Sequence, residues 1–303
     1  MTVPLGRATT TPGLDPSPSR IDTFSIRMPQ LHGRQRRVRV YVPSGYDCDE
    51  NLAWPVLVMQ DGQSLFSAGP FGNWKLGETM DRLVEEGRTA GIIIVGVDNS
   101  EHRWDEYGPW ANARMMDWMI PSWASPVQGG EASAYLSFIV DTLLPEVASR
   151  YRISTARAHT GIGGSSMGGL FALYAGLTRP DVFSKVMAMS TAVWFAESDG
   201  PWLSNNRLLA LIQRRPAPAD VRFYLDVGAN ERSRVAEPKV QDATGNPVTY
   251  PQVYVEGTER VASALRERGV SDAHLRLVVD PDGIHHETAW ARRFEGAVEW
   301  LFP

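Results

Sequence analysis

A serine flanked by glycines is the strongest chemical signal in this sequence. It lies in the segment GGSSMGG at residues 163–169. A serine in a tight turn between a strand and a helix can be presented as a nucleophile, provided that the positions two before and two after it are small. Gly164 and Gly168 satisfy this condition around Ser166, whereas a methionine breaks it for Ser165. We therefore predict that Ser166 is the nucleophile.

The same glycines have alternative interpretations, as a structural turn or a phosphate-binding loop. A Walker loop needs a lysine before its serine or threonine, and this segment has none. A dinucleotide-binding fingerprint belongs in the first strand–helix unit, and this segment lies past the middle of the chain. The missing lysine and the late position of the segment therefore disfavour a phosphate-binding loop, while a structural turn remains the alternative to a nucleophile.

Acidic and histidine side chains after two later predicted strands could complete such a site. Glu231 follows one of these strands, and both His285 and His286 follow the next. Asp226 is a rival acid, but it lies within its strand. The order serine, acid, histidine along the chain is that of the α/β-hydrolases. In that arrangement a neutral imidazole takes the proton of the serine, and the carboxylate orients the imidazole and stabilises its cation.

Two backbone N–H groups are predicted to bind the oxyanion that forms when the serine attacks. The residue after the nucleophile, Met167, should supply one of them. The second should come from the loop after the first buried strand, where Gly62 lets the backbone fold closely and Gln63 is the candidate. Removal of one such donor typically costs about 2.7–4 kcal/mol of transition-state stabilisation.

Signals for other classes of protein are weak. His285 and His286 with Asp280 and Asp282 could suggest a metal site, but neither H-x-x-x-H nor H-E-x-x-H occurs, so we expect no metal and no cofactor. The net charge of −5 and the lack of a long basic run argue against a nucleic-acid partner. Cys48 is the single cysteine, so an intramolecular disulfide is excluded. We expect a soluble cytoplasmic protein of unknown oligomeric state, because no apolar run is long enough for a membrane span or a signal peptide.

The remaining sequence predicts the frame that holds these residues. Two alternating segments indicate antiparallel strands, and six apolar strands then alternate with helical segments. This rhythm is typical of a mostly parallel, doubly wound α/β sheet with helices on both faces, in which ligands bind at the carboxyl ends of the strands. The predicted strands are 21–28, 37–42, 55–59, 91–97, 156–162, 183–189, 221–227 and 274–279, and the predicted helices are 74–86, 132–150, 170–177, 203–213, 251–268 and 287–302.

A single domain at 20–303 is expected, preceded by a flexible tail at 1–19 whose prolines block regular structure. Residues 99–130 interrupt the alternation of strands and helices with a long loop that carries four tryptophans. This composition is too aromatic for a disordered segment. The segment is either a surface insertion that packs on itself or a lid or wall over the active site, and the sequence favours neither.

From about Arg36 to Phe302 the sequence resembles the putative esterase family, which includes enterochelin esterases, esterase D and the antigen 85 mycolyltransferases. The segments that carry the resemblance are VLVMQDGQ (56–63), IIIVGVDN (92–99), RWDEY (103–107), GGSSMGG (163–169) and DVGANE (226–231). The family also has a histidine followed five residues later by a tryptophan, which His285 and Trp290 match. This match favours His285 over His286.

The resemblance implies an α/β-hydrolase fold with a triad of Ser166, Glu231 and His285. It also implies an oxyanion hole made by the backbone of Gln63 and Met167. Such a protein needs no cofactor, because the nucleophile belongs to the chain itself.

These observations together predict a serine carboxylester hydrolase that works through an acyl-enzyme. Its substrate is expected to be a small-molecule ester of a short acyl, carbohydrate or siderophore type. Trp74, Arg103, Trp194 and Trp290 are candidate substrate-binding residues. Arg103, together with Glu106, could instead fix a loop, and packing in the core is an alternative role for all of them. An acyltransferase on the same fold, or a non-catalytic binding protein that retains it, are the alternative functions.

Overall fold

The structure is a computed structural model that describes residues 5, 17–67, 69, 72–118, 127–214, 220–232 and 237–303. Most of the predicted tail at 1–19 lies outside the described residues, as do residues 119–126 of the tryptophan-rich segment.

In the described part of the chain, eight strands form one sheet in the order β1-β2-β4-β3-β5-β6-β7-β8. β2 runs antiparallel to its neighbours β1 and β4, and the other neighbouring strands pair in parallel. The mostly parallel, doubly wound sheet predicted from the sequence is therefore confirmed. The strands are β1 (Arg20–Met28), β2 (Arg34–Val42), β3 (Val56–Gln60), β4 (Ile93–Val97), β5 (Thr160–Ser165), β6 (Lys185–Met189), β7 (Arg222–Gly228) and β8 (Leu275–Asp280).

The central strands are buried on both faces, which explains their continuous apolar sequences. In β3 every residue is buried, with Val56 and Val58 in one hydrophobic cluster and Leu57 and Met59 in another. Successive side chains of a strand point to opposite faces, so these two clusters lie on the two sides of the sheet. Helices must therefore cover both sides.

The helices divide between the two faces as this pattern requires. Leu170 of α6 and Val253 of α8 belong to the cluster of Val56, whereas Leu76 of α1 and Phe294 of α9 belong to the cluster of Leu57. A π-helical turn joins α4 and α5 into one continuous helical segment. The helices are α1 (Leu76–Glu85), α2 (Arg103–Tyr107), α3 (Met115–Trp118), α4 (Ala132–Phe138), α5 (Leu144–Arg150), α6 (Met167–Thr178), α7 (Arg207–Arg214), α8 (Tyr250–Glu267) and α9 (Glu287–Leu301). Within the described ranges, no helix is both long and apolar enough to cross a membrane.

The strand that leads into Ser166 has bounds that differ from the prediction. We expected a strand at 156–162, but β5 spans Thr160–Ser165 and α6 begins at Met167. Gly163 and Gly164 were expected to belong to the turn, but they are part of β5. Neighbouring residues enclose this strand, since a Cβ on Gly163 would lie 2.7 Å from the sulfur of Met59. The expected long loop at 99–130 also contains two short helices, α2 and α3.

Candidate active site

Ser166 occupies the turn between β5 and α6 in a strained backbone conformation, with φ 56° and ψ −119°. Its N–H donates to the carbonyl of Met189 at 2.9 Å. A Cβ on Gly164 would lie 2.8 Å from the backbone of Gly168, and a Cβ on Gly168 would lie 2.9 Å from Cβ of Gln60. Only glycine fits at these two positions, so the turn presents the side chain of Ser166 at the carboxyl edge of the sheet.

His285 and Glu231 meet at the same edge, although they leave different strands. Nδ1 of His285 lies 2.8 Å from Oε2 of Glu231, which has no exposed surface. The imidazole itself is partly exposed. His286 plays a different role: its backbone caps α9, and its Nδ1 accepts a hydrogen bond from the N–H of Thr288 at 3.3 Å. Of the two adjacent histidines, His285 is therefore the one in contact with a carboxylate that follows β7.

The environment of Glu231 favours its charged form in spite of burial. Its Oε1 accepts hydrogen bonds from the N–H of Gly228 at 2.8 Å and from the hydroxyl of Ser190 at 2.5 Å. Burial alone would raise the pKa of the carboxyl, but the imidazole of His285 and these hydrogen bonds outweigh it and hold the pKa of Glu231 below its ordinary value. A permanent carboxylate is thus available to orient the imidazole and to stabilise its cation.

A second layer of buried polar residues supports this carboxylate. The hydroxyl of Ser190, which donates to Glu231, also accepts from Nε1 of Trp290 at 2.9 Å and from Nη2 of Arg293 at 2.8 Å. Asp226 is completely buried with its Oδ1 3.3 Å from Nε of Arg293, and burial raises the pKa of Asp226 to about 7. The structure thus places the rival acid beside Arg293, and places Glu231 at the imidazole.

The N–H groups of Gln63 and Met167 have no acceptor among the residues that the structure describes. Met167 is the first residue of α6, so its N–H has no partner within the helix. In the part of the chain that the structure describes, neither N–H donates a hydrogen bond to another residue. The beginning of α6 lies next to the loop after β3, because a Cβ on Gly168 would lie 3.5 Å from Oδ2 of Asp61. The described residues therefore leave both N–H groups without a backbone acceptor.

A cavity of about 500 Å³ lies over Ser166 and His285. The four candidate substrate-binding residues predicted from the sequence all line it. Nearly all of the remaining wall residues follow the carboxyl ends of strands or begin helices, as expected for this class of sheet. The lining includes Asp61, Gln63, Ser64, Trp74, Asn99, Ser100, Glu101, Arg103, Trp104, Ser165, Trp194, Arg232, Tyr250, Tyr254, His286, Glu287 and Trp290.

Aromatic rings form much of this wall. The rings of Trp74 and Trp290 are 5.6 Å apart, and the ring of Tyr254 lies 4.7 Å from the imidazole of His285. The hydroxyl of Tyr254 accepts a hydrogen bond from Nε1 of Trp194 at 3.2 Å. Burial raises the pKa of Tyr254, and the nearby hydroxyl of Ser166 opposes this rise. Ser166 and His285 thus share one aromatic neighbour.

The beginning of the tryptophan-rich segment forms one side of the cavity. Residues 99–101, 103 and 104 line it, which agrees with the interpretation of the segment as a wall. The guanidinium of Arg103 is bound by the carboxylate of Asp61, through Nε to Oδ1 at 2.7 Å and Nη2 to Oδ2 at 2.9 Å. Its charge is therefore balanced by the protein itself. No group of three potential metal ligands occurs among the described residues.

Sequence reasoning missed three residues of this site. Ser190 could have been noticed because it directly follows β6, whose end lies at the same edge of the sheet. Arg293 lies three residues after Trp290 on α9, and residues at this spacing share one face of a helix. Tyr254 carries no comparable signal, because its place in α8 reads as one more buried position.

The chain is similar to known proteins over most of its length. Residues 30–301 match the model of a family described as "Putative esterase". The uncharacterized protein YbbA from Bacillus subtilis is 25% identical over 267 residues, which are 88% of this chain and 92% of that protein. The ferri-bacillibactin esterase BesA from the same organism is 26% identical over 282 residues, 86% of this chain and 91% of that protein.

A solved structure shares the fold at lower identity. An IroE-like serine hydrolase from Shewanella oneidensis superposes with a TM-score of 0.68 at 19% identity, over 93% of this chain and 80% of that chain. The α/β-hydrolase arrangement of the sheet agrees with this likeness.

Proposed function

Because this chain belongs to the family described as "Putative esterase" and is a carboxylic ester hydrolase, we propose that it cleaves its ester with a triad of Ser166, His285 and Glu231. One observation carries the proposal. The 2.8 Å contact between His285 and the buried Glu231 lies at the wall of the cavity that also contains Ser166. This arrangement supplies a nucleophile, a base with one nitrogen held, and space for a substrate.

The reaction begins when Oγ of Ser166 attacks the ester carbonyl and Nε2 of His285 takes the hydroxyl proton. Glu231 stabilises the imidazolium cation that results, without taking its proton. The negative charge that moves to the carbonyl oxygen is bound by the N–H groups of Gln63 and Met167. The C–O bond to the alcohol then breaks, and His285 gives its proton to the leaving oxygen.

The product of this half-reaction is an ester of the acyl group on Ser166. A water molecule enters, loses a proton to His285 and attacks the acyl carbon through a second tetrahedral intermediate. The bond to Oγ breaks, the proton returns to Ser166, and the acid leaves. The same two N–H groups and the same carboxylate act in both halves.

The substrate that we infer is a siderophore-type ester that carries aromatic groups. The cavity wall holds four tryptophans and two tyrosines, and its size of about 500 Å³ falls in the usual range for small-molecule sites. The relative BesA is named as an esterase of a ferric siderophore. Aromatic walls favour stacked rings over simple aliphatic acyl chains.

The proposal is tested with a panel of esters and one substitution. We expect kcat/KM for aryl-bearing polyester lactones to exceed that for short acyl esters and acetylated sugars. Ser166→Ala should reduce hydrolysis of all of them by at least about 10³-fold. If Ser166→Ala hydrolysed p-nitrophenyl acetate at the wild-type rate, the assignment of Ser166 as the nucleophile would be refuted. Added alcohols that yield transesterified product faster than acid would instead identify an acyltransferase.

A further inference from the structure

Asp61 is held in place by hydrogen bonds with Arg103, Asn99 and Tyr107. It directly follows β3 and has a left-handed backbone, with φ 58° and ψ 45°. Besides the two bonds from Arg103, its Oδ1 accepts from the amide of Asn99 at 2.6 Å. Its backbone N–H donates to the hydroxyl of Tyr107 at 3.2 Å. A non-glycine residue in this left-handed conformation is strained and is kept in place by such contacts.

The residues after Asp61 are also held by defined contacts. A Cβ on Gly62 would lie 2.6 Å from the backbone carbon of Gly96, so this backbone rests directly on β4. The side chain Oε1 of Gln63 accepts a hydrogen bond from the backbone N–H of Asn99 at 3.0 Å. The carbonyl of Asp61 accepts from the N–H of Ser64 at 3.0 Å. Every residue around the free N–H of Gln63 thus has a defined position.

The partners that hold this loop come from one short segment, which is itself anchored. Asn99, Arg103 and Tyr107 all lie at the beginning of the tryptophan-rich segment, in α2 or just before it. Glu106 of the same helix is buried and accepts two hydrogen bonds from Nη2 of Arg36 on β2, at 2.7 and 2.8 Å. The guanidinium of Arg103 also lies 5.2 Å from the ring centre of Tyr107. The clamp on the loop is therefore tied to the sheet.

We propose that Arg103 is a positioning residue that fixes the oxyanion-binding N–H of Gln63 through its bond to Asp61, instead of a residue that binds substrate charge. The inference rests on the proposed function of Gln63. Preorganised donors stabilise the transition state because they need no rearrangement when the charge develops. Displacement of a group near the reacting atoms by about 1 Å can reduce the rate by as much as about 10²-fold.

The test uses Arg103→Gln, Asp61→Asn and the double variant, with neutral and anionic esters of the same acyl group. We expect kcat to fall by roughly 10- to 100-fold with KM changed by less than about three-fold, since an interaction realised only in the transition state is lost. The affinity for a trifluoromethyl ketone, which forms an oxyanion on the serine, should fall in parallel with kcat/KM. The double variant should be no worse than either single variant, and Arg103→Lys should recover part of kcat.

Arg39→Gln is the matched control. Arg39 forms the same two-point contact with Asp98, at 2.8 and 3.1 Å and with similar burial, yet neither residue lines the cavity. Its substitution should leave kcat within about two-fold of wild type. A loss of kcat as large as that of Arg103→Gln would overturn the inference. So would a rise in KM at constant kcat, or a loss confined to anionic esters, because both would indicate contact with substrate.

Failure of the inference can be distinguished from failure of the proposed function. Wild-type enzyme whose Ser166 reacts with a fluorophosphonate, together with Arg103→Gln of normal kcat, would refute only the role of Arg103. A wild-type protein in which Ser166 does not react would refute the proposed function itself. If Arg103→Gln does not fold, Arg103→Lys and Asp61→Asn carry the same comparison.

Discussion

Nδ1 of His285 lies 2.8 Å from Oε2 of Glu231, and this carboxylate has no surface exposed to solvent. The contact joins two loops that leave neighbouring strands of the sheet, β7 and β8. This contact engages one imidazole nitrogen and leaves Nε2 as the nitrogen that could accept a proton.

The first prediction separates the two candidate acids. Glu231→Gln should lower kcat by about 10²–10⁴-fold, because an amide cannot hold the same tautomer or stabilise the imidazolium. Asp226→Asn should lower it by less than about ten-fold, since Asp226 faces Arg293. Steady-state kinetics on p-nitrophenyl acetate measures both. A larger loss in Asp226→Asn than in Glu231→Gln would reverse the assignment.

The second prediction concerns the hydroxyl of Ser190, which joins Glu231 to Trp290 and Arg293. Ser190→Ala should reduce the free energy of unfolding by about 1–3 kcal/mol, because buried polar groups lose their partner. We also expect Ser190→Ala to reduce kcat roughly ten-fold, which corresponds to a loss of about 1.4 kcal/mol of transition-state stabilisation. Urea unfolding and kinetics give the two numbers.

Ser184→Ala is the control for this substitution. Ser184 is also buried, but its hydroxyl has no hydrogen-bond partner among the described residues. Its removal should change the free energy of unfolding by less than about 0.5 kcal/mol. Equal losses in the two variants would show that the network around Glu231 contributes nothing specific.

The third prediction is a pH dependence of stability from Asp226, whose pKa is raised to about 7 by burial. An unfolded aspartate titrates near ~3.9, so between these values the folded state binds more protons than the unfolded state. The contribution of Asp226 to stability therefore decreases as pH rises through this window and is constant above it. The free energy of unfolding of wild type minus that of Asp226→Asn should fall between pH values of about 4 and 7 and level off above this window. A difference that rises or stays constant would contradict the raised pKa.

The fourth prediction tests the tight turn at the nucleophile. Gly164→Ala should reduce the free energy of unfolding by about 1–3 kcal/mol and abolish most activity, since the added methyl meets backbone atoms of Gly168 that cannot move aside. Gly296→Ala in α9 is the counterpart, because nothing lies within 4 Å of the added atom. It should stabilise the protein by about 0.5–1 kcal/mol. Urea unfolding of both variants measures the difference, and equal effects would mean that the turn tolerates a side chain.

Local sequence patterns predict most of the frame. The helix at 132–150 and the buried strand at 55–59 were expected within a few residues of their observed bounds, because periodicity follows directly from burial on one or two faces. The strand before Ser166 was predicted to end too early because Gly163 and Gly164 look like a turn. They lie in a strand where atoms of neighbouring residues leave no room for a Cβ, and only the packed structure reveals that constraint.

The residues that support the site could not be predicted in the same way. Ser190 and Arg293 are about a hundred residues apart and meet only because β6 and α9 pack together. The role of Asp61 was also hidden, since the sequence offered Arg103 as a group that fixes a loop or binds substrate but did not identify its partner, and the structure places its guanidinium on that carboxylate. A single sequence reports the residues that do chemistry better than the residues that hold them.

The most direct test of the whole account is the reaction of the protein with a fluorophosphonate, followed by mass spectrometry of its peptides. We expect one covalent adduct on Ser166 of the wild-type protein, none on Ser166→Ala, and labelling of Ser165→Ala at Ser166 within about ten-fold of the wild-type rate. An adduct on Ser165 or another residue, or labelling that persists in Ser166→Ala, would contradict the claim that Ser166 is the nucleophile.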